Sequence, residues 1–421
     1  MTVRAGLAIL VLLMLSVATP ARAHLTPNSV LELDFGRSRI DANLVIPLGE
    51  LQFAEPQFAT LAPGPVQGPA RASLLAWLRG HVAVATADGK AWSIEIGNPR
   101  ITEGGAPDLD VRLSLRPPAG ASLRRFIVDY SAVIDRSPNH FVLVMLRTDF
   151  DAGHLSERPQ MLGGLRQGAE RIVIDRGSGS AWRGFKGAVA LGMSHIAQGH
   201  DHLLFLLALL VPAPLLAAGG RWHGYAGARK TIASLAAIVT AFTIGHSLTL
   251  IGGAVFGWQL PARPIESMIA LSILISAIHA YRPLFAGREA WVAGGFGLVH
   301  GMAFATVIGR FGLEPWQKAQ SILGFNLGIE LVQLCVVALT VPGLVMLART
   351  RLYPPFRAGL AIATGSAALI WLVERVTGHD LAAARAIDRL LGYAPWMLAA
   401  SLLAAVVGAI LPRLISSRRT C

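Results

Sequence analysis

The run from Gly187 to Leu210, GAVALGMSHIAQGHDHLLFLLALL, is long and apolar enough for a membrane span, yet it carries three histidines and an aspartate. A charged side chain near the centre of a spanning helix costs about 2.5 to 3.5 kcal/mol on insertion scales, so polar groups kept there mark a site of function. On one uninterrupted helix His195 and His202 share a face but stand seven residues, roughly 10.5 Å, apart along the axis. Metal bonds to imidazole nitrogen measure about 2.0 to 2.1 Å, so both rings reach one ion only if the helix breaks or the side chains converge strongly. Gly199 is placed for such a break, and freed backbone groups are tolerated at membrane depth when buried in protein or lining a cavity. Asp201 then either binds the ion or accepts the second ring proton of a ligating histidine. The same residues also suit a hydrogen-bond network between helices. His200 neighbours Asp201 but points in a different helical direction from His195, which makes it a secondary candidate.

The composition from about residue 184 onward is one of long apolar stretches separated by short basic loops. Spans are expected near 185–211, 230–256, 264–281, 289–309, 319–347, 356–375 and 394–412. This predicts an α-helical polytopic membrane bundle of about seven transmembrane helices over 184–415, ending in a short cytoplasmic tail, 416–421. Trp182, Trp222, Trp258 and Trp316 fall near the expected ends, where aromatic belts belong. With the N-terminus outside, Arg221, Arg229, Lys230, Arg282, Arg288, Arg349, Arg351, Arg357, Arg413, Arg418 and Arg419 all lie on the cytoplasmic side. Fewer basic residues lie opposite, and acids are interleaved with them. The net charge of +12 is therefore read as membrane topology and not as nucleic-acid binding.

Counting along the spans puts His246, His300, Asn326 and Glu330 at a depth similar to that of the first-span cluster, on three further helices. Neutral imidazole suits nickel, cobalt, copper and zinc, and a carboxylate supplies charge compensation. Gly245, Gly297, Gly301, Gly324 and Gly328 flank these residues and allow close helix approach. His279 reads as an interfacial residue, and Glu266 as solvated.

At the other end, Arg4, the apolar run LAILVLLMLSVA and Ala21-Arg22-Ala23 read as a signal peptide over 1–23. Cleavage there makes His24 the mature N-terminus, a secondary metal candidate with His81, His140 or His154 as partners. Residues 24–180 alternate apolar and polar in short runs such as SVLELDF, DVRLSL and RIVID, which predicts a mainly β, sandwich-like extracytoplasmic domain of six to eight strands. Ala70 to Arg79 reads as its one short helix, and the Pro- and Gly-rich stretch from Leu61 to Pro69 as a surface loop. No cysteine falls in this domain, so no disulfide holds it.

The string His195, five residues, Asp201-His202, then LLFLLALL, resembles the signature of the HupE/UreJ family, hydrogenase and urease accessory membrane proteins regarded as nickel permeases. The likeness runs from roughly Phe185 to the C-terminus. It implies a multi-span permease in a bacterial inner membrane, in which His195, Asp201 and His202 select the metal. His246, His300 and Glu330 are then further metal-site residues, and Asn326 a lining group. It implies nickel, or else cobalt, copper or zinc, as transported cargo with no tightly bound cofactor, and metallochaperones or metalloenzyme maturation proteins as partners. A second family motif is only half kept: His300-Gly301 remains, while Phe296 replaces a histidine and Ala303 an acid. Two other classes stand beside this reading, a membrane-embedded metalloenzyme and an extracytoplasmic ligand-binding or sensory protein. The chain lacks a His-Glu-x-x-His run and a phosphate-cradling loop.

Overall fold

The computed structural model describes residues 28–258 and 260–393. The signal peptide, His24, the seventh expected span and the basic tail lie outside the described residues. The chain divides into two compact units. Of the described residues, 28–33, 41–145 and 161–175 form the first, and 34–40, 146–160 and 176 onward the second.

The N-terminal region is β-rich. One sheet of eight strands runs β10 (His154–Leu165), β9 (Val142–Asp149), β1 (Ser29–Phe35), β2 (Ile40–Pro47), β7 (Asp108–Arg116), β6 (Arg100–Ile101) and β3 (Gly64–Pro65), with β5 (Ser93–Ile96) also paired to β7. A second sheet orders β11 (Arg171–Asp175), β8 (Arg125–Tyr130) and β4 (Val82–Ala85), all antiparallel. Period-two patterning builds them. In β7, Leu109, Val111, Leu113 and Leu115 are buried while Arg112 and Arg116 face out. The described strands outnumber the six to eight expected. The excess comes from pieces such as Gly64–Pro65 and Arg100–Ile101, two-residue pairings too short to show a period. One of them lies inside the stretch read as a loop. Helix α1 (Leu48–Ala54) was also not expected, and α2 (Gly68–His81) is longer than the predicted 70–79, with Leu74, Leu75, Trp77 and Leu78 turned inward.

His140 is fully buried in the first unit. Its Nε2 accepts from the Ser29 backbone N–H at 3.3 Å and lies 2.7 Å from Ser29 Oγ. Nε2 must therefore carry a lone pair, and the proton sits on Nδ1, which faces Glu50 Oε2 at 3.6 Å.

The second unit is helical: α3 (Ala181–Gln198), α4 (His200–Leu210), α5 (Ala228–Phe256), α6 (Ala262–Tyr281), α7 (Glu289–Arg310), α8 (Pro315–Leu347), α9 (Tyr353–Thr377) and α10 (Ala382–Leu391). Four of these, α5, α6, α8 and α9, are long and apolar enough to cross a membrane. The first expected span is two helices parted at Gly199. A hairpin of β12 (Leu215–Ala218) and β13 (Arg221–Tyr225) joins α4 to α5, turning at Gly219-Gly220, both with positive φ.

Helix pairing in this unit rests on missing side chains. Helix α5 packs along α7, α3 along α8 and α6 along α9. A Cβ on Gly245 would stand 2.1 Å from Gly294 O, one on Gly297 2.2 Å from Phe242 O, and one on Gly301 2.1 Å from Thr249 Oγ1. Gly328 meets Val189 O at 2.2 Å and Gly324 meets Phe185 O at 2.9 Å in the same way. All five glycines flanking the polar depth thus sit at crossings only a hydrogen can occupy.

Burial holds the His140 pKa below its ordinary value of 6.5, with Glu50 opposing the shift more weakly. A depressed folded-state pKa means the unfolded chain takes up the proton first. Stability is then full above about pH 6.5 and falls below it, by at most ~1.4 kcal/mol per pH unit. We expect the full chain in detergent to show a β-unit unfolding midpoint that drops between pH 7.5 and 5.5, with a clearly flatter pH slope in His140→Gln. Equal slopes would refute the assignment.

Candidate metal centre

The break at Gly199 is a single residue deep. The Gly199 N–H still donates to His195 O at 2.9 Å, and the Leu203 N–H donates to Gly199 O at 3.1 Å, so α3 ends and α4 begins without an intervening loop. Gly199 itself is extended, with φ −77° and ψ 93°. That conformation is open to any residue; the space is not. A Cβ there would lie 2.7 Å from His195 O, 2.7 Å from His202 Nδ1 and 3.2 Å from Asp201 Oδ1. As a result the His195 and His202 ring centroids stand 4.8 Å apart, well inside the ~10.5 Å rise of a continuous helix.

Asp201 fixes the second ring. Its Oδ1 accepts from the His202 backbone N–H at 2.9 Å and lies 3.0 Å from His202 Nδ1. A carboxylate only accepts, so Nδ1 carries the proton and His202 Nε2 keeps a lone pair. The position of Asp201 in the first turn of α4 also suits the positive end of that helix.

Two further helices close the group. His246 of α5 is fully buried, and neither of its ring nitrogens has a hydrogen-bond partner. His300 of α7 lies 5.0 Å from His202, centroid to centroid. Its Nε2 is 3.0 Å from Ser272 Oγ, and Ser272 Oγ donates to Ile269 O at 2.7 Å. With that hydroxyl proton committed, His300 Nε2–H is the donor and Nδ1 is the lone pair. Counting His195 Nε2, His202 Nε2, both nitrogens of His246 and His300 Nδ1, five buried ring nitrogens are left without partners.

Phe304, Phe325, Phe205 and Phe242 wall the group in, with ring centroids 4.7 to 5.3 Å from His195 or His300. An unmet buried polar atom costs about 1 to 3 kcal/mol, so the arrangement is poorly satisfied by protein alone. A cation that accepts nitrogen lone pairs satisfies up to four of these nitrogens, since neutral His246 keeps its proton on one of its two. One donor each from His195, His202 and His246 already lies within 4.8 Å of the others, against about 3.4 Å between neighbouring ligands of a tetrahedral ion with 2.1 Å bonds. The donor set is all imidazole, the chemistry of nickel, copper, cobalt and zinc and not of magnesium or calcium.

The remaining candidates lie elsewhere. His200 is not among the unpartnered rings; its Nδ1 lies 3.6 Å from Asp388 Oδ1 on α10. Asn326 neighbours His246 but donates to Ile322 O of its own helix at 3.0 Å. Glu330 is half-buried on α8 and has no hydrogen bond or ion pair among the described residues, so it does not complete the histidine group. His279 is buried where an interfacial residue was expected, because its Nδ1 accepts from the Leu284 and Phe285 N–H groups and pins the loop after α6. Glu266 is half-exposed and pairs with Arg375 at 3.5 Å. The sequence reading missed Ser272 and the four phenylalanines: a serine or phenylalanine inside an apolar run carries no signal of its own.

A family model described as HupE / UreJ protein matches residues 169–375, from the strand before α3 to the last turns of α9. This segment of the chain matches the HupE/UreJ family. The match begins before Phe185, where the resemblance was first legible, and ends short of the C-terminus. No curated protein and no solved structure matches the chain. The histidine group lies wholly within the HupE/UreJ segment, and the N-terminal sheets lie almost entirely before it.

The hydrogen bonds assign opposite neutral tautomers to two neighbouring rings. Imidazole ¹⁵N spectra of histidine-labelled protein should show His202 protonated on Nδ1 and His300 on Nε2. Ser272→Ala should release the His300 tautomer alone, and Asp201→Asn that of His202 alone. A shared response of both rings to either substitution would refute the assignment.

Proposed function

We propose that this HupE/UreJ membrane protein is a permease for a divalent transition metal, nickel first and cobalt or copper next, with His195, His202 and His246 as the ion's ligands at mid-membrane. The observation that carries the reading is the set of five partnerless ring nitrogens enclosed by aromatic side chains. Asp201 holds His202 in the tautomer that presents Nε2, and its carboxylate offsets part of the cation's charge. His300, held by Ser272, presents Nδ1 as a fourth donor. The unpartnered atoms of the four histidines are all nitrogens, which disfavours hard cations. The ions are substrates of the protein and not resident cofactors.

In this proposal the bundle has seven spans in a bacterial inner membrane, with the β-rich region outside and the C-terminus in the cytoplasm. The excess of arginine and lysine in alternate loops supports that orientation. Separate donor helices also favour transport over tight storage: His195, His246 and His300 sit on α3, α5 and α7, so small shifts between helices change the ligand set.

Proteoliposomes holding the purified chain should show saturable nickel flux. His195→Ala and His246→Ala should abolish it, and Asp201→Asn should lower it about 10- to 100-fold, the range seen when the partner of a ligating histidine is removed. All three variants should remain folded by circular dichroism. Full flux in both alanine variants would overturn the site, and a stoichiometric metal held without flux would favour a membrane-embedded metalloenzyme.

A further inference from the structure

Helix α10 is amphipathic. Ala384, Ile387 and Leu391 pack against the apolar cluster that contains Leu204, Phe205, Ile265 and Ile269, while Arg385 and Arg389 face away. Asp388 lies at the edge of the packed face, one turn from Ala384, and this is where His200 meets it. The pair is not a closed structural bond: 3.6 Å exceeds a normal hydrogen bond, and neither side chain is fully buried.

Exposure falls stepwise along a run of donor residues. Asp388 is 51% exposed, His200 29%, Asp201 27%, His202 7% and His246 0%. His200, Asp201 and His202 are consecutive in the first turn of α4. Of the most exposed of these donors, Asp388 meets His200, and His200 adjoins in the chain the carboxylate that orients His202 and, beyond it, the buried rings.

We infer that Asp388 and His200 form an outer capture site for the same divalent transition cation, taking it with part of its water shell and passing it to Asp201 and His202. This rests on the reading of the histidine group as the ion's destination. Two protein donors of mixed type suit weak, exchangeable binding, because the remaining positions stay with water. The carboxylate also raises the local cation concentration at the mouth of the site. The role of α10 is then to carry Asp388 across to α4, which its apolar face holds in place.

The test is the association rate of Co²⁺ with the detergent-solubilised full chain, followed by stopped-flow absorption in the visible bands of the bound ion. Asp388→Asn and His200→Gln should each slow association about five-fold, with the bound stoichiometry and band positions unchanged at saturation. Asp380→Asn, which removes an equal charge that pairs with Arg385, should leave the rate as it is. Association as fast as wild type in both variants would overturn the capture site. So would equal slowing in Asp380→Asn, since that is a general charge effect, or shifted bands, since they would place the pair within the buried site. A wild-type chain that binds no Co²⁺ overturns the proposed function as well, so the two failures are distinguishable.

Discussion

The helical unit depends on one absent methyl group. At Gly199 the chain turns by a single residue while the flanking helical hydrogen bonds persist, and the turn leaves no room for a Cβ between His195 O and the His202 ring. The arrangement of the polar side chains of α3 and α4 follows from it. The two rings meet, Asp201 falls at the start of a new helix where its carboxylate is favoured, and His200 meets Asp388 of α10. A continuous helix would have spread the same four side chains along about two turns.

Bringing partnerless nitrogens together in a dry setting is costly, and the surrounding helices offset that cost. The glycine crossings of α5 with α7 and of α3 with α8 bring backbones within reach of one another, and such close approach gains the dispersion contacts that hold helices together where the hydrophobic effect is weak. The same crossings fix the depth of the rings, since Gly245 precedes His246 directly and Gly301 follows His300 directly. Packing and site are thus specified by adjacent residues.

Much of this was legible in the sequence. The polar cluster, the glycine able to break its helix, the flanking small residues and the helices near 230–256 and 264–281 all follow from period and composition. What was hidden depends on contacts between residues far apart in the chain. Ser272 fixes a tautomer 28 residues away, and whether a carboxylate such as Glu330 joins the rings is decided by helix rotation, which a depth count does not contain. In the β-rich region the long strands announced themselves by alternation, whereas two-residue pairings such as that of Gly64–Pro65 with Arg100–Ile101 exist only through their partners.

Burial alone does not separate a structural histidine from a functional one in this chain. His140 and His279 are as buried as His246. In both, one ring nitrogen accepts backbone N–H groups, and the other faces a carboxylate, Glu50 at 3.6 Å or Glu289 at 3.9 Å. Each of those rings keeps one nitrogen without a hydrogen bond, but that nitrogen faces a carboxylate and not another imidazole. In the membrane group the nitrogens left over after every hydrogen bond is drawn face one another across a space walled by phenylalanine. Lone pairs gathered without matching N–H or O–H donors gain little from the protein itself, and the arrangement makes physical sense when a cation supplies what they lack.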